Sequence, residues 1–146
     1  PLSEELARYF VEEAGERLGS AEGALRRGRH GTVIFYSQEC VEYSVKAIME
    51  SLSIKYPPIH DVGGLVLRLK KDKRLPQWLR DSSTRVSEIV SRLADLRIPA
   101  RYGDQTRKLP PSKLFTRKDA EEALADARFV HGLSERFIEW WFRGEQ

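Results

Sequence analysis

Residues 98–109 read IPARYGDQTRKL, which sets Arg101, Arg107 and Lys108 against one acid, Asp104, with an aromatic ring, Tyr102, among them. Arg97 stands immediately before. These residue types suit a polyanion, because the cations can contact phosphates while the phenol stacks a base. The plainer alternatives are ordinary solvated cations and a tyrosine packed on its own domain. His60 could add acid–base chemistry if the fold carries it to Arg101; a capping or packing role at a helix start is its alternative. His30 and His131 read as turn and helix-surface residues. Cys40, the single cysteine, reads as a small buried hydrophobe with no evident base. A second basic run, Lys70, Lys71, Lys73 and Arg74, reads as a charged helix end. One cysteine and three scattered histidines give no zinc spacing. There is no P-loop or glycine-rich dinucleotide fingerprint either, so no metal or cofactor is expected.

The chain around these groups has 146 residues, 40% of them hydrophobic and 32% charged, which fits one globular domain over residues 1–146. No apolar run approaches the roughly 18 residues of a membrane span, so no membrane association and a cytoplasmic location are expected. The absence of Asn, a single Met and the many charges lean toward a thermophile. The net charge of +3 hides an asymmetry. Residues 66–118 hold 15 basic and 5 acidic residues, whereas the rest holds 10 and 17. Such polarity fits a polyanion, an acidic partner or self-association.

Helical periods must position these residues. Leu6, Phe10, Ala14, Leu18, Ala21 and Leu25 make one apolar stripe, and Gly28 and Gly31 bracket the turn after it. In residues 32–52 the apolar positions Val33, Ile34, Tyr36, Cys40, Val41, Val45, Ala47, Ile48 and Leu52 occupy more than one face, which marks a central helix. Pro57 and Pro58 follow its end. Gly63-Gly64 reads as a turn and residues 65–70 as a short helix. Pro76 can be the first residue of a helix that carries Trp78, Leu79, Val86, Ile89, Val90, Leu93 and Leu96. Residues 99–112 read as loop. Thr116 and Asp119 form a capping box for the last helix. No period-two alternation of useful length appears. The expected class is all-α, a bundle of four long helices plus one short one. Phe137, Ile138, Trp140, Trp141 and Phe142 exceed what one helix face can bury, which points to a homodimer.

Within FYSQECVEYSVKAIME, residues 35–50, Gln38, Glu42 and Lys46 fall four apart and form a polar row on an apolar helix. The Glu42-to-Lys46 order favours a local ion pair. This stretch resembles the second helix of the HEPN family, of the form F-x-A-Q-Q-A-x-E-x-x-L-K-A, through Phe35, Ser37, Gln38, Glu39, Cys40, Glu42, Val45, Lys46 and Ala47. His60 matches a histidine that often opens the family's next segment. Ala100, Arg101 and Tyr102 match its A-R-Y motif, and Ala120, Ala123 and Ala127 its alanine-spaced last helix. The resemblance implies a bundle of four or five helices, usually a homodimer. It implies binding of RNA or a nucleotide, often beside a minimal nucleotidyltransferase, or RNA cleavage in toxin-type members.

The cleaving members are similar to one another in an Arg followed, after four to six residues, by His. From Arg101 those places hold Thr106, Arg107 and Lys108; from Arg97 they hold Tyr102, Gly103 and Asp104. No histidine of the chain has an arginine at that distance before it. The expectation is a non-catalytic HEPN-like dimer, a toxin–antitoxin-like partner of a minimal nucleotidyltransferase or a binder of RNA or a nucleotide. Its contacts would be Arg97, Arg101, Tyr102, Arg107, Lys108 and His60. The alternatives are a metal-independent ribonuclease with a non-standard Arg/His site and an interaction scaffold.

Overall fold

A computed structural model describes residues 2–144; Pro1, Glu145 and Gln146, included in the expected domain, lie outside the described residues. The elements are α1 (Leu2–Arg26), α2 (His30–Ser51), α3 (Gly63–Arg68) with a following 3-10 turn (Leu69–Lys71), α4 (Gln77–Tyr102), α5 (Pro111–Leu114) and α6 (Arg117–Phe142). Four long helices are present as expected, with two short ones rather than one. The described residues contain no strand, only a single bridge between Asp104 and Leu109.

The central helix is α2, which packs on α1, α4 and α6. Val33, Ile34, Cys40, Val41, Val45 and Met49 are all buried on it, as a wide apolar surface requires. The α1 stripe differs from the expected one. Its buried residues are Ala7, Ala14, Ala21 and Ala24, while Leu6 is exposed. Small side chains let α1 lie close against α2. A tight turn joins the two. Gly28, at φ +71°, supplies the left-handed residue, its N–H donating to Leu25 O (3.0 Å) and that of Arg29 to Ala24 O (2.9 Å). This is the Schellman arrangement, and glycine adopts it without a Cβ penalty.

Three boundaries differ from those read in the sequence. Gly63-Gly64 opens α3 instead of forming a turn. Pro76 precedes α4 at the N-cap position. Most consequential, α4 runs through Pro99 to Tyr102, so residues 99–102 are helix, not loop. A proline one turn from a helix end removes a single intrahelical hydrogen bond. The last turn is retained because Ala100, 2% exposed, is pressed against α2 and because Gly103 N donates to Pro99 O at 2.9 Å. The α6 start matches the sequence reading, with Thr116 and Asp119 exchanging both capping-box hydrogen bonds.

The aromatic end of α6 is packed internally. Phe137 is fully buried and stacks near Trp140 and Trp141, in a cluster with Ile48, Leu52, Leu75 and Leu79. Phe142 packs with Ala7, Ala47 and Ile138. The surplus that pointed to a second copy is therefore largely covered by the chain itself. No helix among the described residues is long and apolar enough to cross a membrane.

Candidate nucleic-acid interface

Continuation of α4 past Pro99 places Arg97 and Arg101 one turn apart on one face. Both lie over the ring of Phe35 on α2, with guanidinium carbons 4.5 and 4.4 Å from its centroid. Phe35 is thus a shared platform, and each cation–π contact is worth about 0.5–2 kcal/mol depending on solvation. The two arginines differ in what else holds them. Arg97 donates to Gln38 Oε1 and, at 3.4 Å, to Glu39 Oε2, while Arg17 of α1 approaches Glu39 Oε1 at 3.5 Å. Arg101 is exposed and has no acidic partner among the described residues. At this place Arg101 is the cation free to meet an anion.

The polar row of α2 is a relay rather than a surface ion pair. Gln38, only 3% exposed, accepts from Arg97 and donates from Nε2 to Glu42 Oε2 at 3.2 Å. The Glu42 carboxylate in turn lies 3.1 Å from His60 Nδ1. Glu42 and Lys46 make no ion pair among the described residues. Lys46 Nζ instead sits 5.2, 5.6 and 5.8 Å from the rings of Tyr56, Tyr43 and Phe10. Aromatic faces are reachable one turn further along the helix, and Glu42 is already engaged twice. His60 therefore pairs with Glu42 and does not approach Arg101 directly; its link to the basic end runs through Glu42, Gln38 and Arg97. Burial pushes the neighbouring Tyr56 phenol up from its ordinary value, so it stays protonated.

The segment after α4 folds back as a tight loop. Asp104 N donates to Leu109 O (2.8 Å) and Leu109 N to Asp104 O (3.0 Å). Asp104 Oδ1 accepts from the Arg107 backbone at 3.0 Å, so this lone acid organises the loop. Arg107 and Lys108 are exposed at its tip, and Lys108 holds φ +60°. Tyr102, 61% exposed, stands beside Ile98, 68% exposed. Arg101, Tyr102, Arg107 and Lys108 thus share one end of the bundle, as their closeness in sequence suggests.

Two clefts meet at Arg101. One, about 710 Å³, runs between α1 and α4 and is lined by Glu16, Arg17, Tyr36, Glu39, Arg97 and Arg101. The other, about 640 Å³, lies between the α1–α2 turn and the α4 and α5 ends. It is lined by Arg29, His30, Tyr36, Arg101, Pro111 and Ser112, among others. The histidine that shares a cleft with Arg101 is His30, which the sequence alone marks only as a turn residue. The one local signal is the short Gly28–Gly31 spacing. At Gly31 a Cβ would lie 2.5 Å from Ala100 O and 2.7 Å from Pro111 Cβ, so only glycine lets α2 begin against the α4 end.

Cys40 is fully buried with Sγ 3.9 Å from Ala127 O, and burial pushes its thiol up to about 12. It is an inert core residue at neutral pH.

The HEPN domain family model matches residues 7–137. A protein of Methanocaldococcus jannaschii named "Putative toxin MJ1304" is 25% identical over 134 residues, spanning 90% of this chain and 88% of that one. The crystal structure of TT1696 from Thermus thermophilus superimposes with a TM-score of 0.73 at 27% identity, covering 89% of this chain and 96% of that one.

Proposed function

The chain belongs to the HEPN domain family, and from that membership we propose that it is a non-catalytic dimeric module of a toxin–antitoxin-like pair that binds the phosphates of RNA or of a nucleotide. The observation that carries the reading is Arg101. Its guanidinium rests on Phe35, has no acidic partner among the described residues, and lies at the same end as Tyr102, Arg107 and Lys108. Arg107 stands 4.0 Å from Asp104, so of these three cations Arg101 and Lys108 are the ones without an acidic partner among the described residues. Such cations beside an exposed ring are what a single strand uses for phosphates and a stacked base. The relative named a toxin supports a toxin–antitoxin-like setting, in which a minimal nucleotidyltransferase is the candidate partner. The missing Arg-x4-6-His spacing supports binding without cleavage.

A second copy is the proposed occupant of the apolar surface next to Arg101. Ile98 and Tyr102 are exposed, and with Leu96, Pro99, Leu114 and Phe115 they line a shallow groove on the outer side of α4. Contiguous exposed apolar residues rimmed by charge mark interaction surfaces.

The test is binding of single-stranded RNA across a salt series. Affinity should fall steeply as salt rises, because phosphate contacts release counterions. Affinity indifferent to salt would favour the interaction-scaffold alternative. A metal-independent ribonuclease is the second reading, and one observation favours it: His30 and Arg101 line one cleft.

A further inference from the structure

The cleft between the α1–α2 turn and the α4 end has an unusual charge content. Arg29 and His30 from the start of α2 and Arg101 from the end of α4 line it, together with Thr32, Tyr36 and Ser112. No Asp or Glu lines it. Neither Arg29 nor Arg101 has an acidic partner among the described residues. The adjoining groove on the far side of Arg101 differs, since Glu16 and Glu39 stand in it and Glu39 is held by Arg17 and Arg97. The two cavities therefore differ in the charge that they present to an anion. A phosphodiester carries one negative charge, whereas a terminal phosphate carries about 1.5 to 2 near neutral pH and offers three acceptor oxygens. Two unneutralised guanidiniums from different elements, with no carboxylate near, suit the second.

The walls are fixed. Gly28 and its two turn hydrogen bonds hold Arg29, Gly31 is in tight contact with Ala100 and Pro111, and Pro110 and Pro111 stiffen the opposite side. A preformed cavity of about 640 Å³ is within the range that holds a nucleotide-sized ligand. Phe35, Tyr36 and Arg101 line both cavities, so a ligand anchored in the first continues past Tyr36 into the second.

We propose that the Arg29–His30–Arg101 cleft is a terminal-phosphate subsite, which takes the phosphomonoester of a nucleotide, free or at the end of an RNA strand. The subsite rests on the reading of the basic end as an RNA- or nucleotide-binding surface and deepens it. Arg29 and Arg101 grip the phosphate by charge-assisted hydrogen bonds, His30 adds a ring N–H, and Tyr36 sits where the attached nucleoside leaves.

The experiment compares, on the full chain, uridine 5′-monophosphate and short oligouridylates with and without a terminal phosphate. Binding is read by calorimetry or by anisotropy of labelled strands. The phosphorylated strand should bind about tenfold more tightly than the unphosphorylated one, the gain from one added charge-assisted contact. Arg29→Ala and His30→Gln should each bring that ratio toward one, and circular dichroism checks that both variants fold. Uridine monophosphate that competes with the phosphorylated strand places a free nucleotide in the same subsite; binding of the mononucleotide alone identifies the free form as the ligand. Equal affinity for the two strands with no binding of the mononucleotide overturns the subsite and leaves RNA binding standing. A preference that survives both substitutions also overturns it. Absence of all binding at low salt overturns the reading on which it rests.

Discussion

Arg97 on α4 donates a hydrogen bond to Oε1 of Gln38 on α2, 59 residues away in sequence, and through that amide it is joined to Glu42 and His60. A buried amide with both ends engaged ties the basic end of α4 to the loop before α3. It also explains why the family-like polar row can lie on an otherwise apolar helix: each member has a partner supplied by another segment or by the row itself.

Replacing Gln38 with Leu should leave Arg97 and Glu42 each short of a hydrogen-bond partner. The expected cost is about 1–3 kcal/mol. Urea denaturation should show a lower midpoint at unchanged slope. A midpoint equal to that of the parent chain would mean that the relay contributes nothing to stability.

Arg101→Ala and Lys108→Gly should each flatten the salt dependence of RNA affinity by close to one phosphate contact. Glycine is chosen at 108 because the φ of +60° is one that Lys adopts at a cost. The variant therefore removes a charge without straining the loop. An unchanged slope in both variants would remove the loop and the α4 end from the binding surface.

The purified chain should not cleave labelled RNA in the presence of EDTA at a useful rate. After four to six residues, the places beyond Arg101 hold Thr106, Arg107 and Lys108 and no histidine, so the general base of that spacing is missing. His30→Ala, His60→Ala and Arg101→Ala are run in parallel. Cleavage lost in His30→Ala and Arg101→Ala but kept in His60→Ala would establish the ribonuclease reading at the shared cleft. Cleavage kept in all three would indicate a contaminant.

Acid should loosen the α1–α6 contact. Arg8 bonds Glu139 at 2.7 Å, and that hydrogen bond holds the Glu139 carboxyl below its ordinary range. With the folded value below the unfolded one, the contribution is complete above the usual glutamate pKa near 4.3 and is lost as pH falls through the lower folded value. Glu139→Gln should have a lower urea midpoint than the parent at neutral pH, and the difference should close as pH falls below the usual glutamate range. A difference that stays constant with pH would contradict this origin.

Sedimentation should show a dimer at tens of micromolar, roughly the weak end of specific association. Ile98→Asp should convert it to monomer, because a carboxylate cannot be buried in that groove without a partner. A dimer that tolerates this change would place the interface elsewhere.

Much of the fold is written in short-range signals. The apolar periods, the Gly28 turn and the Thr116–Asp119 capping box depend on residues within a turn of one another, so the sequence alone determines them. The excess of cations in residues 66–118 is equally plain, as is the shared end formed by Arg101, Tyr102, Arg107 and Lys108. What the tertiary structure decided are the pairings across helices. Pro99 looks like a helix end until Ala100 is seen pressed against the first turn of α2. Nothing local tells that Arg97 will turn to Gln38 while Arg101 stays free. Nor does anything local tell that His30 rather than His60 shares a cleft with Arg101, or that the α6 aromatics meet Ile48 and Leu79 of their own chain. Caps and periods are set by neighbours along the chain, whereas the partner of a side chain on a helix face is set by which other face arrives there, and only packing fixes that.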